Sequence, residues 1–389
     1  MPALDGRRFW FVGIGGAGLS AYAQLARARG AEVGGWDRVR TPYLEALADV
    51  ELEIAPEPVV RSGWEPVVSA AYPEVPGTTR AAFLAELVAL QPAIVVAGSH
   101  GKGTTAAMIA FVLRETGRDP AWLVGSPVPQ LGGNAGFGAG LLVVEGDESD
   151  RSVFGLPAQI AVVTNVELDH HTEFRSLVEL EHEFDRWTAQ AAHVVRDAPA
   201  YEGPLAVPGE HNRRNAGAAL AALELAGVTR DEATPVLARF TGTGRRFDVT
   251  EAGGIAIVDD YAHHPAEVAA TIAAAREAFA GRRLRVLFQP HLVSRTRHLA
   301  RELGEALAAA DDVAVTDVYV AREPPDPAVT GKLVVDALSD AGRLAAWIPS
   351  VEQGAEYLAR RAGTGDVLLV LGAGDVDRAP GLLRERLEG

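Results

Sequence analysis

The chain has 389 residues, enough for two or three domains each with its own core, and its 48% hydrophobic and 23% charged content is that of an ordinary soluble globular protein. A formal charge of −16 argues against a nucleic-acid-binding surface, which needs a basic stripe, yet leaves room for local anion pockets. With no cysteine, disulfides, thiolate metal sites and cysteine nucleophiles are excluded, and only two of the 36 basic residues, Lys102 and Lys332, are lysines. The start, MPALDGRRFWFVGIGG, runs straight into a strand and loop without a signal-peptide pattern. No apolar stretch approaches the ~20 residues of a membrane span, so a cytoplasmic protein is expected.

RRFWFVGIGGAGLSAYAQLARARGAEVGGWD predicts strand, glycine loop, helix and strand. Gly13, Gly15, Gly16, Ala17 and Gly18 open the helix and Asp37 ends the next strand, the spacing of a dinucleotide fingerprint. Such a loop suits a diphosphate and leaves open whether NAD or another nucleotide carries it.

A second unit begins at Ala93, with IVVAG as a buried strand, GSHGKG as a loop and TTAAMIAFVLRETG as a helix. This order aims the backbone of Gly98, Ser99, His100 and Gly101, and a helix N-terminus, at a phosphate, with the Lys102 ammonium as counter-charge; ATP is the expected ligand. The two glycines stand closer together than in the usual Walker loop, and Gly103 follows the lysine. The hydroxyls come next, at Thr104 and Thr105, either of which could reach Mg²⁺.

Glu145, Asp147, Glu148 and Asp150 end the strand LLVV. Four carboxylates there repel one another unless a cation sits among them, which points to a hard metal, the alternative being a solvated acidic loop. TNVELDHH follows another strand, with His170 or His171 a second metal ligand or a surface histidine. Asn212 and Asn215 precede an alanine helix and can either read an adenine edge or cap the helix. From Gly242 a third block carries GTGRRFD with Arg246, VDDYAHHP with Asp260, Tyr261, His263 and His264, and FQPHLVSRTR with His291 and Arg295. Arginines near a helix start suit phosphate or carboxylate clamps. Alternating strands and helices predict an α/β protein with parallel sheets and ligands at the strands' C-terminal ends, where all these motifs fall.

In this order the motifs resemble the Mur ligase family almost end to end: GIGGAGLSAYA, VAGSHGKGTT, VEGDESD, VTNVELDH, GEHNRRNAGAAL, GTGRRFD, VDDYAHHPAEV, FQPHLVSRTR and GDVLLVLGAGD. The resemblance implies three domains: an N-terminal Rossmann-like domain over 1–90 that holds a UDP-sugar, a central P-loop ATPase-like domain over 91–241, and a C-terminal Rossmann-like amino-acid-binding domain over 242–389. Within the family it implies the branch that joins L-alanine to the lactyl carboxylate of UDP-N-acetylmuramate through an acyl phosphate, in peptidoglycan precursor synthesis, with ATP and Mg²⁺. A ligase that attaches a tripeptide to the same sugar nucleotide, or a non-catalytic nucleotide-binding paralogue, are the alternatives. The partners implied are these small molecules, with no nucleic acid and no membrane, and a monomer or homodimer.

The residue roles follow from the same resemblance. Gly98, Ser99, His100, Gly101, Lys102, Gly103, Thr104 and Thr105 surround ATP phosphates, with Lys102 on the β- and γ-phosphates. Thr104, Glu145 and His170 serve the metal. Asn212 and Asn215 take the adenine side, Arg246 reaches ATP phosphates, and Asp260 and His263 face ATP and substrates. Gly13, Gly15, Gly16, Ala17, Gly18, Asp37 and Ser69 hold the UDP-sugar, joined by His291 and Arg295. The chain departs from the family pattern at Gly103, where threonine is usual, and at Leu292-Val293, where Arg-Tyr is common. The stretch between HHTEF and GEHN is short for the family. No lysine stands between Lys102 and Lys332, so the carbamoylated lysine of the later-acting sister ligases has no place here.

Overall fold

A computed structural model describes residues 3–168, 173–321 and 323–388. Among them are three mostly parallel sheets. The first contains β1 (Arg8–Val12), β2 (Glu32–Asp37), β3 (Glu51–Ile54), β4 (Glu65–Val68) and β5 (Thr78–Thr79), in the order β3-β2-β1-β4-β5. Its helices are α1 (Ala17–Ala28) and α2 (Arg80–Val88). Strand order reverses at β1, the switch point where α/β sheets leave a crevice for ligands. Register pairs Val12 with both Trp36 and Val68, so Gly13, Asp37 and Ser69 emerge side by side.

The second sheet, ordered β11-β10-β6-β9-β7-β8, contains β6 (Ala93–Ala97), β7 (Ala121–Val128), β8 (Gly133–Gly136), β9 (Leu142–Glu145), β10 (Ile160–Val163) and β11 (His193–Arg196). β6 is buried over its whole length, as an inner strand covered on both faces must be. Its register with β10 (Ala97 with Val163) and β9 (Val96 with Glu145) brings the lysine loop, the acidic loop and the segment from Thr164 to one edge. The helices are α3 (Lys102–Glu115), α4 (Leu177–Thr188), α5 (Glu210–Leu225) and α6 (Arg230–Leu237). The segment read as short holds α4 and β11 before the chain reaches α5.

The third sheet, ordered β12-β13-β17-β14-β15-β16, contains β12 (Asp248–Ala252), β13 (Ile255–Asp260), β14 (Leu284–Phe288), β15 (Asp312–Val315), β16 (Ala345–Trp347) and β17 (Val367–Leu371). Apolar clusters cover both its faces, packed by α7 (Pro265–Ala278), α8 (Val293–Leu307), α9 (Lys332–Asp340), α10 (Val351–Arg361) and α11 (Ala379–Glu388). Leu371 pairs with both Asp260 and Phe288, which sets the DDYAHH and FQPH motifs at one edge.

The chain divides into two compact units: 1–206 with 214–241, and 207–213 with 242–389. In the first unit, Phe9, Phe11 and Phe83 share one apolar cluster with Val95 and Val144, so the first two sheets are built on a common core. A separate cluster of Trp10, Trp36 and Trp64 covers the other face of the first sheet. Among the described residues no helix is long and apolar enough to cross a membrane.

Candidate active site

In the first unit the glycine loop turns directly onto α1. Gly13 N–H and Ile14 N–H both donate to Trp36 O, at 2.8 and 3.1 Å. Asp37 is nearly buried and holds the loop itself: its Oδ2 accepts Gly15 N–H at 2.7 Å and its Oδ1 accepts Arg38 N–H at 2.7 Å. Thr41 Oγ1 donates to Gly15 O at 2.7 Å. Gly16 caps α1 with no side-chain hydrogen bond, leaving Ala17 and Gly18 in a first turn that carries no acidic residue, an arrangement suited to an anion. Ser69 adjoins Gly13, so seven of the nine residues expected at a UDP-sugar lie together in this unit, while His291 and Arg295 belong to the second.

The lysine loop is pinned from behind by the segment that follows β10. Asn165 reads the His100 peptide with both ends of its amide, Oδ1 accepting His100 N–H and Nδ2 donating to His100 O, each at 2.9 Å. Thr164 Oγ1 donates to the same carbonyl at 2.6 Å. Ser99 Oγ is absorbed by Glu167, donating to its carbonyl at 2.9 Å and accepting its N–H at 2.8 Å. Gly101 starts α3 at φ +79°, and a Cβ there would fall 2.2 Å from Asn215 Oδ1. Asn215 therefore lies directly on the loop.

Lys102 Nζ folds back onto Gly98 O (2.8 Å), Ser99 O (3.1 Å) and Glu148 Oε1 (3.0 Å). Burial opposes the ammonium's charge, but the carboxylates of Glu148, Asp147 and Glu145 outweigh it and hold the lysine above its ordinary pKa. Burial pushes Glu148 up to about 7 against the pull of Lys102. Glu145 is fixed by Gly125 N–H, which donates to its Oε2 at 2.6 Å. The same carboxylate lies over the first turn of α3, where Thr104 is 7% exposed and Thr105 fully buried.

In the second unit, Asp260 spans a turn built from Arg245 at φ +57° and Phe247 at φ +54°. Its oxygens accept Phe247 N–H and Ala262 N–H, both at 2.8 Å, so the carboxylate braces the motif that carries Arg246. Arg246 pairs with Glu267 at 3.5 Å and stands 5.1 Å over the Tyr261 ring. His263 packs edge-on against Tyr261 and His291, and its Nδ1 lies 2.9 Å from Tyr261 O. His291 stacks on Tyr319 and meets Arg295 at 3.2 Å. The Asn212 amide donates to Pro208 O at 2.7 Å, a local tie at the start of α5. Asp169, His170 and His171 lie outside the described residues, and with them the expected histidine metal ligand.

Burial, aided by Arg295 and opposed by Glu267, lowers the His263 pKa to about 3. Unfolding raises it to the ordinary value, so the unfolded chain takes up a proton below about 6.5 that the folded one refuses. The contribution of this group to stability is thus complete above pH 6.5 and is lost as pH falls toward 3. Thermal unfolding of the wild type and of His263→Asn, followed from pH 7 to 4, should show a flatter acid slope in the variant. Identical slopes would contradict this ionisation.

Residues 245–374 match the Mur ligase, glutamate ligase domain. The chain is 36% identical to the UDP-N-acetylmuramate–L-alanine ligase of Streptomyces coelicolor, over 96% of each chain. It is 38% identical to that of Kineococcus radiotolerans, over 95% of this chain and 94% of the relative. The chain belongs to the Mur ligase family, in the UDP-N-acetylmuramate–L-alanine ligase branch. The crystal structure of the UDP-N-acetylmuramate–alanine ligase from Thermotoga maritima has the same fold, with a TM-score of 0.79 at 25% identity over 97% of this chain and 98% of that one. A murein peptide ligase from Psychrobacter arcticus shares the fold at TM-score 0.68 and 21% identity, over 98% and 99% of the chains.

As a Mur ligase the chain is an ATP-dependent carbon–nitrogen ligase. Its departures from the Mur ligase pattern have local settings. A Cβ at Gly103 would come 3.1 Å from Glu145 Oε2, so threonine there would press on the carboxylate that Gly125 anchors. Leu292 caps α8 at φ +70°, its N–H donating to Tyr319 O at 2.9 Å. Two residues around the site, Asn165 and Arg80, were not assigned roles from sequence, and Glu148 was read as one of four carboxylates around a metal rather than as the partner of Lys102. The scarcity of asparagine, four in the chain, was a signal for Asn165; nothing local marked Arg80.

Proposed function

We propose that the chain joins L-alanine to the lactyl carboxylate of UDP-N-acetylmuramate in the cytoplasm, as a monomer or homodimer, with domains over 1–90, 91–241 and 242–389. The observation that carries this reading is identity of 36–38% to ligases of that name over nearly the whole of both chains. A lactyl carboxylate oxygen attacks the γ-phosphorus of ATP and ADP leaves. The alanine amine then attacks the acyl carbonyl, and phosphate departs with the electrons of the C–O bond and takes up the proton that the amine loses.

Two anions must meet in the first step, so the chain's task is charge neutralisation and alignment. Lys102 exchanges its carbonyl and Glu148 contacts for the β- and γ-phosphates, while Gly98 to Gly101 offer backbone N–H groups. Asn215, against this loop, is assigned to the adenine side together with Asn212. Glu145 and the Thr104 hydroxyl are assigned to Mg²⁺ as hard-oxygen donors, with His170 as the further ligand. Mg²⁺ held there would offset phosphate charge. The loop from Gly13 to Gly18, with Asp37 and Ser69, takes the UDP, its diphosphate at the N-terminus of α1. Arg246 and Asp260 are assigned to ATP, and His291 with Arg295 to the sugar nucleotide and amino acid. His263, neutral and donating from Nδ1 to Tyr261 O, presents Nε2 as an acceptor for the incoming amine.

Incubation with UDP-N-acetylmuramate, ATP, Mg²⁺ and separate amino acids or the tripeptide, with phosphate release and product mass measured, tests the reading. One phosphate per adduct with L-alanine is expected. Transfer of the tripeptide instead would move the chain to the recycling activity, and no turnover with any acceptor would overturn ligation.

A further inference from the structure

Arg80 opens α2 and lies between the two loops of the first unit. On one side its guanidinium covers the first turn of α1: a Cβ at Gly18 would come 3.6 Å from Arg80 Nε and 3.9 Å from the ring of the buried Tyr22 beside it. On the other side its Nη2 stands 3.5 Å from Asp147 Oδ2 and its Nη1 3.7 Å from Asp150 Oδ2. These are ion pairs at the long limit, and the Nε of this half-buried group is enclosed without a hydrogen-bond partner. Arg80 is thus placed by packing and by charge rather than by a tight fork.

The acidic loop carries Glu145, Asp147, Glu148 and Asp150 within six residues, and Lys102 reaches into it. Asp147 is held in this loop by Ser149, whose N–H donates to its Oδ1 at 2.9 Å, while its Oδ2 faces Arg80. Removing Arg80 would leave Asp147 and Asp150 without that counter-charge. Their field would then fall more fully on Lys102, the cation that ATP must draw away. In a partly desolvated site such a change acts over several ångströms.

We propose that Arg80 is a positioning residue of the ligase: by neutralising Asp147 and Asp150 it leaves Lys102 available to nucleotide phosphates, and by packing on Gly18 it couples the α1 loop to the ATP loop. This inference rests on the ligase reading for its kinetic consequence but not for its binding consequence, which concerns ATP alone.

The test compares wild type, Arg80→Gln, Arg80→Lys and Arg80→Gln with Asp150→Asn, all checked by thermal unfolding. Affinity for a non-hydrolysable ATP analogue is measured by calorimetry, and KM and kcat by phosphate release. Arg80→Gln should weaken analogue binding and raise the KM for ATP about tenfold, with a smaller change in kcat. Arg80→Lys should recover most of that loss. The added Asp150→Asn should restore affinity by removing a carboxylate, which a purely structural role for Arg80 would not produce. Unchanged analogue affinity in Arg80→Gln, or no recovery in the double variant, would overturn the proposal. Loss of turnover in the wild type with these binding shifts intact would instead sink the ligase reading alone.

Discussion

Lys102→Ala is expected to lower ligation by ~10²–10³-fold while leaving UDP-N-acetylmuramate binding nearly unchanged. The ammonium is assigned to the developing phosphate charge, and losing one such preorganised donor costs about 3–4 kcal/mol of transition-state stabilisation. The variant should still fold. Breaking a buried ion pair is usually destabilising because the surviving charge is stranded. Here the survivor is Glu148, which burial already holds up to about 7 with the lysine present. Without Lys102 it can take a proton and remain buried as a neutral acid. Phosphate release and sugar-nucleotide affinity, measured on the same preparation, separate the two effects. Activity near that of the wild type would refute the role given to the loop.

Gly101→Ala is expected to be a damaging single-methyl change in the ATP loop of the first unit. It forces a side chain into the left-handed region at φ +79° and drives its Cβ to 2.2 Å from Asn215 Oδ1. The backbone term costs about 1–2 kcal/mol and the overlap a further ~1–3 kcal/mol, unless Asn215 moves off the loop. The melting temperature should fall by several degrees and ATP affinity should drop with it. Adding Asn215→Ala should relieve the overlap but not the backbone strain, so roughly half of the lost stability should return. A Gly101→Ala protein as stable as the wild type would show that the loop does not hold this conformation.

The elements that carry chemistry were legible because their signals are local. AIVVA, too apolar to face water on either side, had to be an inner strand; the glycines after it had to be a turn; and TTAAMIAFVL had to be a helix. The same holds for the strands before DDYAHH and FQPH. The edges were harder. β8 is the sequence GNAG and β12 is DVTEA, neither with a strand's composition. They become strands because β7 and β13 offer them antiparallel partners, which no short window of sequence reveals.

The residue types needed for phosphate and hard-cation chemistry, and their position at strand ends, were determined by the sequence itself, since a glycine's freedom and a lysine's charge belong to the residue. Lys102 stood out there as one of two lysines. Only the tertiary structure decided what each group does before substrate arrives. It turned Asp37 onto its own glycine loop and set Asn165 behind His100. It buried Glu148 against Lys102 and drew Arg80 to Asp147. These partners lie tens of residues apart, so their pairing depends on sheet register and helix packing, which bring together charges that the chain alone keeps separate.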